Sequence, residues 1–203
     1  MKKTIVFGIL AFATLFMFNA CKEKPKKEAA TKGYIVEAKT TTINWTAYKT
    51  TSKTPVKGVF TKVNFENATY GKTSFDALNG LKFNIPVSSL FTKDTIRDNK
   101  LKKFFFGVMD NTKLISGTIN MNNETSGTVD LTMNGITQTL PITYIISDQM
   151  VTMEALMDTD NWNAQNALIS LNDVCKELHT GEDGISKTWS EVKIDIATYL
   201  KHE

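Results

Sequence analysis

Residues 126–146, SGTVDLTMNGITQTLPITYII, alternate between apolar and polar side chains around a central Asn134-Gly135. Asn-Gly between two alternating runs predicts a β-hairpin, because a type I′ turn needs positive φ at both of its central residues. A two-residue turn pairs Met133 with Ile136. The register of the whole hairpin therefore follows from this one dipeptide.

This register predicts one apolar and one polar face, because successive side chains of a strand point to opposite sides of the sheet. Gln138 is the one polar side chain on the apolar face. The other members of that face are Val129, Leu131, Met133, Ile136, Leu140, Ile142, Tyr144 and Ile146. A packed core and the wall of a ligand cavity both produce such a face, so alternation alone does not distinguish them.

Alternation with period two continues through most of residues 34–200. The alternating positions are Ile43, Trp45 and Ala47; Val59, Thr61, Val63 and Phe65; Leu81, Phe83, Ile85 and Val87; Ile115, Gly117, Ile119 and Met121; Val151, Met153, Ala155 and Met157; and Val192, Ile194 and Ile196. Gly58 and Phe60 fall out of phase with their neighbours, which is compatible with a bulge. Eight or nine short strands with short connections predict a mainly β domain, an antiparallel sandwich or barrel.

Two segments depart from the period of two. Residues 92–107, TKDTIRDNKLKKFFFG, place Leu101, Phe104 and Phe105 at helical spacing. In residues 160–184 we expect a helix that starts at Asp160 or Asn161 and ends near Gly181. Its apolar face would carry Leu168, Leu171, Cys175 and Leu178.

The first 33 residues resemble the leader and tether of a bacterial lipoprotein. Lys2 and Lys3 precede an apolar run that is short for a membrane span, and Ala20 stands directly before Cys21. We expect a signal peptide over residues 1–20, lipid attachment at Cys21 and a flexible charged tether over residues 21–33. The protein would then be a membrane-anchored lipoprotein of the cell envelope, on the periplasmic side or the cell surface. Ordinary secretion with a chance cysteine is the alternative.

Charge and motifs narrow the classes of function. Removal of Lys2 and Lys3 with the signal reduces the 24 basic residues to 22, against 21 acidic residues. Such a balance argues against a nucleic-acid binder, which usually has a basic face. We find no phosphate loop, nucleotide fingerprint or Ser–His–Asp pattern, and so predict no enzyme. Cys175 and His179 are too few ligands for a metal site, and none is expected.

Three segments in order resemble the YceI-like family, the polyisoprenoid-binding proteins with a lipocalin-like barrel. They are KGVFTKVNF at residues 57–65, RDNKLKKFFF at 97–106 and LTMNGITQTL at 131–140, and Trp45 in an early strand also fits. The resemblance covers most of residues 34–199. It implies an antiparallel lipocalin-like β-barrel of about eight strands with one or two helical segments, wrapped around an isoprenoid chain. We therefore expect residues 34–200 to form this barrel.

With the hairpin register, the resemblance implies a set of cavity-lining residues. They are Leu131, Met133, Ile142 and Tyr144 from the hairpin, with Trp45, Phe60 and Phe105 from elsewhere. A second set is expected either at the mouth of the cavity or on a solvated helix face. It comprises Arg97, Asp98, Lys100, Lys102 and Lys103.

The resemblance also implies the partners. They are an apolar lipid ligand and, through the N-terminal anchor, a membrane; no nucleic acid is expected, and no protein partner is identified. No cofactor is predicted, apart from a bound isoprenoid-type lipid. The alternative is a non-catalytic envelope protein with a side-chain-filled barrel that acts through protein contacts.

Overall fold

The computed structural model describes residues 32–203. The predicted signal peptide, Cys21 and most of the predicted tether lie outside the described residues. The strands are β1 Tyr34–Ile35, β2 Thr41–Lys49, β3 Thr54–Phe60, β4 Asn64–Phe65, β5 Lys82–Pro86, β6 Leu90–Phe91, β7 Leu114–Met121, β8 Ser126–Met133, β9 Ile136–Ser147, β10 Met150–Asp158, β11 Thr188–Tyr199 and β12 Lys201–His202.

Helical segments connect some of these strands. The α-helices are α1 Ser74–Leu78, α2 Thr95–Lys100, α3 Gln165–Val174 and α4 Lys176–His179. One turn of π-helix, Leu101–Phe105, continues α2, and 3₁₀ turns occupy Ala38–Thr40, Val87–Ser89, Phe106–Val108 and Thr159–Trp162. No helix in residues 32–203 has both the length and the apolar character needed to cross a membrane.

Ten strands form one antiparallel sheet in the order β4-β5-β7-β8-β9-β10-β11-β2-β3-β6. β4 is one edge of this sheet, and β3 is next to the other edge. Only residues 61–63 separate β3 from β4 along the chain, and so short a connection spans at most about 14 Å. The sheet must therefore curl until its edges approach each other. The prediction of a mainly β, antiparallel lipocalin-like fold is confirmed, with eight strands of five or more residues.

The predicted hairpin is present with its predicted register. Asn134 and Gly135 have φ values of 53° and 68°, as a type I′ turn requires. Met133 pairs with Ile136, Leu131 with Gln138, and Val129 with Leu140. Its apolar face is turned to the interior, while Gln138 donates to the carbonyl of Asn161 at 3.1 Å.

The alternation in β3 differs from the sequence-based expectation. Gly58 and Phe60 face the interior, which places Val59 on the outer side, where it pairs with Phe91. β3 ends at Phe60, and the next three residues carry the chain across to β5. The alternation then restarts, so Val63 and Phe65 also face inward. A change of strand partner, rather than a bulge within one strand, causes the shift of phase.

The helical segments lie at the two ends of the barrel. α1 packs at the end where β7 finishes, and a capping box between Thr73 and Asp76 begins it. α3 packs at the opposite end, against the start of β11 and the π-helical turn. The barrel is therefore covered on both sides by helical elements.

The helix expected from residue 160 begins later and is interrupted. Asp160 and Asn161 lie in a 3₁₀ turn, which Asn163 ends in the left-handed conformation at φ 53°. α3 therefore starts at Gln165. A non-helical Cys175, with φ −116° and ψ 11°, separates α3 from α4. This break moves Leu178 off the apolar face and leaves it exposed.

Candidate ligand-binding cavity

A cavity of about 200 Å³ lies inside the barrel. Its lining comes from most strands of the sheet and from the helical segments at both ends, and it is almost entirely apolar. Threonines and the exposed-side Glu154 are its polar members. Packed protein interiors contain few voids larger than a water molecule, so a void of this size is more than a packing defect.

Six of the seven expected lining residues border this cavity. They are Trp45, Phe60, Phe105, Leu131, Met133 and Ile142. Tyr144 is buried but is not part of the lining, because its hydroxyl donates to the backbone carbonyl of Asn123, between β7 and β8. The hydroxyl thereby obtains the partner that a buried tyrosine needs, at the end of the barrel covered by α1.

Several lining residues come from segments where alternation gives no information. Leu101 and Phe106 reach the cavity from the helical turns after α2, and Leu168 and Leu171 reach it from α3. A π-helical turn has a wider period than an α-helix. The apolar run that ends in three phenylalanines was a usable signal for the first pair, whereas the docking of α3 depends on tertiary contacts.

Small residues make room around Trp45. Ala155, Ile194, Trp45 and Gly58 are successive partners across four strands. A Cβ added at Gly58 would lie 2.2 Å from Cζ2 of the Trp45 indole, far inside van der Waals contact. The indole can therefore lie flat against the backbone of β3 only because residue 58 has no side chain.

The basic segment expected at the mouth is largely engaged within the protein. Arg97 pairs with Asp94 at 3.4 Å. Asp98 is buried and accepts from the amide and hydroxyl of Thr92 at 2.8 and 2.6 Å. Lys100 Nζ donates to the carbonyl of Val174, at the end of α3, at 3.0 Å. These contacts tie α2 to α3, whereas Lys102 and Lys103 have no such contact with α3 among the described hydrogen bonds.

A polar cluster joins the same helical end to β11. Asn172 Oδ1 accepts from Thr188 Oγ1 at 2.9 Å, and Thr188 Oγ1 lies 2.7 Å from His179 Nδ1. Since the hydroxyl proton goes to Asn172, His179 must donate from Nδ1 in its neutral form. Burial, and then the charges of Lys49 and Lys100, lower the pKa of His179 from 6.5 to about 4. No group of three His, Cys, Asp or Glu side chains within residues 32–203 is placed to hold a metal ion.

We expect the stability of the domain to fall as the pH drops from about 6.5 to about 4. His179 is neutral in the folded state across this window but takes up a proton when unfolded, so unfolding binds protons and stability rises with pH. With allowance for partial exposure, the effect should be on the order of 1–2 kcal/mol. Urea unfolding at several pH values measures it.

His179→Gln should flatten this part of the pH profile, while the same change at the exposed His202 should leave it unaltered. An unchanged slope in the His179 variant would assign the acid sensitivity to other groups.

Comparison with known proteins gives a family and a fold. The model of the YceI-like domain family matches residues 34–199. No curated protein matches the sequence. The structure is similar to a polyisoprenoid binding domain from Saccharophagus degradans, implicated in plant cell wall breakdown, with a TM-score of 0.61 at 11% identity over 85% of this chain and 99% of that one.

It is also similar to BcnA of Burkholderia cenocepacia, with a TM-score of 0.53 at 17% identity over 81% of this chain and 98% of that one. At these identities the likeness establishes a common fold and nothing finer.

Proposed function

This chain belongs to the YceI-like domain family, and from that premise we propose that its barrel binds the apolar chain of a lipid. The observation that carries the proposal is the cavity of about 200 Å³ with an almost wholly apolar lining. A carbon chain is the one common biological ligand that leaves no polar group unsatisfied in such a space.

The energetics support binding of a partly enclosed chain. Each methylene that leaves water contributes about 0.8 kcal/mol, so five or six enclosed methylenes contribute roughly 4–5 kcal/mol. The cavity lies below the range of about 300–1,000 Å³ typical of sites for drug-sized ligands. A long chain would therefore be only partly enclosed unless the lining moves. Met133 and Met153 contribute flexible side chains to the lining, which favours such adaptation.

We further propose that the chain is isoprenoid. Support comes from the fold shared with the Saccharophagus degradans polyisoprenoid binding domain. Binding rather than catalysis is proposed, because the lining among the described residues combines no nucleophile with a base. A barrel filled by side chains and acting through protein contacts is the alternative, and the size of the cavity speaks against it.

Extraction of bound lipid tests the function. The mature protein, purified without detergent, should yield an apolar lipid by solvent extraction and mass spectrometry, in a fixed ratio to protein. An isoprenoid series, recognised by its five-carbon spacing, would identify the chain. Repeated preparations without an apolar lipid, together with failure to bind an added one, would support the filled barrel.

We also propose that Cys21 carries a lipid anchor in the cell envelope. The support is the leader-like segment that ends in Ala20-Cys21 and the charged stretch that follows it. One acyl chain gives only marginal membrane binding, so stable attachment needs the several chains typical of lipoproteins.

Cys21→Ala should release the protein from the membrane fraction or block its maturation, as fractionation and immunoblotting would show. Cys175→Ala is the matched control, because it removes the only other cysteine and should leave the protein membrane-bound. Normal processing and membrane retention of the Cys21 variant would contradict the proposed anchor.

A further inference from the structure

The three tryptophans of the chain differ in what their indole N–H groups bond. Trp162 Nε1 donates to the carbonyl of Leu131 at 2.9 Å, and Trp189 Nε1 donates to the carbonyl of Thr50 at 2.7 Å. Trp45 Nε1 is fully buried and has no hydrogen-bond partner among residues 32–203. The residue as a whole is only 6% exposed. A buried donor without an acceptor is uncommon and costs its desolvation free energy.

The surroundings of Trp45 supply no acceptor side chain. Trp45 lines the cavity, and its partners on the two neighbouring strands are Gly58 and Ile194. The ring rests against Gly58. The cavity is thus apolar except for one donor, which belongs to the central residue of the nine-residue strand β2.

We propose that the cavity takes a lipid bearing a neutral oxygen, a carbonyl or a hydroxyl, to which Trp45 Nε1 donates. This inference rests on the proposed function and specifies its ligand further. A hydrocarbon tail alone would leave the indole donor unpaired, whereas a neutral oxygen would pair it inside the barrel.

The lining also argues against an ionised group at this point. Glu154 is its one charged member and is itself an acid. Burial of an anion without a countercharge is far more costly than burial of a neutral carbonyl. The oxygen that Trp45 selects is therefore neutral, and it lies within the barrel rather than beside the lysines that follow α2.

A matched pair of probes tests this inference. Undecan-2-one and undecane have the same number of carbons, and only the ketone carries an acceptor. Their affinities are measured by displacement of an environment-sensitive apolar fluorophore from the wild type and from Trp45→Phe. Division of the ketone-to-alkane ratios for the two proteins removes the difference in probe hydration. We expect this double ratio to be about tenfold, which corresponds to about 1.4 kcal/mol.

A second measurement needs no variant in the cavity. In the ¹H–¹⁵N spectrum of the wild type, the ketone should move the indole N–H signal of Trp45 downfield, and undecane should not. The signals of Trp162 and Trp189, which already have acceptors, serve as internal references. If Trp45→Phe does not fold, this spectrum decides the question alone.

The outcomes separate the inference from the proposed function. A double ratio near one, or equal displacement of the Trp45 signal by both probes, would overturn the role of the indole while leaving lipid binding intact. Failure of both probes to bind would overturn the proposed function and this inference with it.

Discussion

Leu131→Trp is expected to abolish binding of the lipid chain while the barrel stays folded. Leu131 lies on β8, lines the cavity and faces Gly117 on the neighbouring strand. An indole in place of its side chain would extend into the empty volume. If it excludes only three methylenes, at about 0.8 kcal/mol each, affinity falls on the order of 50-fold. Displacement of an apolar fluorophore and recovery of extracted lipid both measure the loss.

Thr132→Trp is the control for this variant. Thr132 is the next residue on the same strand, faces the outer side and pairs with Thr137. It therefore introduces the same indole without entering the cavity, and it should bind lipid as the wild type does. If Leu131→Trp instead leaves ligand content unchanged and costs about 1–3 kcal/mol of stability, as overpacking of a filled core would, the cavity is not the binding site.

Trp162→Ala is expected to destabilise the domain by about 3–5 kcal/mol, as for other large-to-small changes in cores. Trp162 is 1% exposed. Its indole donates to the carbonyl of Leu131, and its own carbonyl accepts from Asn134 Nδ2 at 2.8 Å. Loss of this side chain would leave a cavity and an unpaired carbonyl. For a chain of this size the melting temperature should fall by roughly 6–20 °C.

Trp162→Phe separates packing from hydrogen bonding. It retains a ring in the same space and removes the indole donor, so it should cost distinctly less than the alanine variant. Chemical denaturation of both variants measures the two contributions. A loss below about 1 kcal/mol for Trp162→Ala would mean that the segment leading into α3 is not anchored through this residue.

The accuracy of the sequence-based expectations follows the range of the interactions involved. The hairpin was predicted down to its residue pairs, because its turn type depends on two adjacent residues and its faces follow from alternation. The same alternation identified Trp45, Leu131, Met133 and Ile142 as inward-facing. The family resemblance then supplied the closed, lipocalin-like arrangement, which alternation alone left open between a sandwich and a barrel.

Expectations failed where a long-range contact overrides a local pattern. Val59 was assigned to the phase of Val63, although three residues that carry the chain from one sheet edge to the other separate their phases. Leu178 fits the helical spacing of Leu168 and Leu171, but the interruption at Cys175 turns it to solvent. Tyr144 lies on the predicted face, yet its hydroxyl finds its partner at the end of the barrel.

By itself, then, the sequence determined the strand pattern, the hairpin register and the apolar character of the interior, because each depends on neighbouring residues along the chain. Only the tertiary structure decided that the interior retains an empty volume, that helical segments line one end of it, and that Trp45 alone among the tryptophans lacks an acceptor within the described residues. These properties depend on how side chains from distant strands fill a shared space, and no periodicity along one strand records that volume.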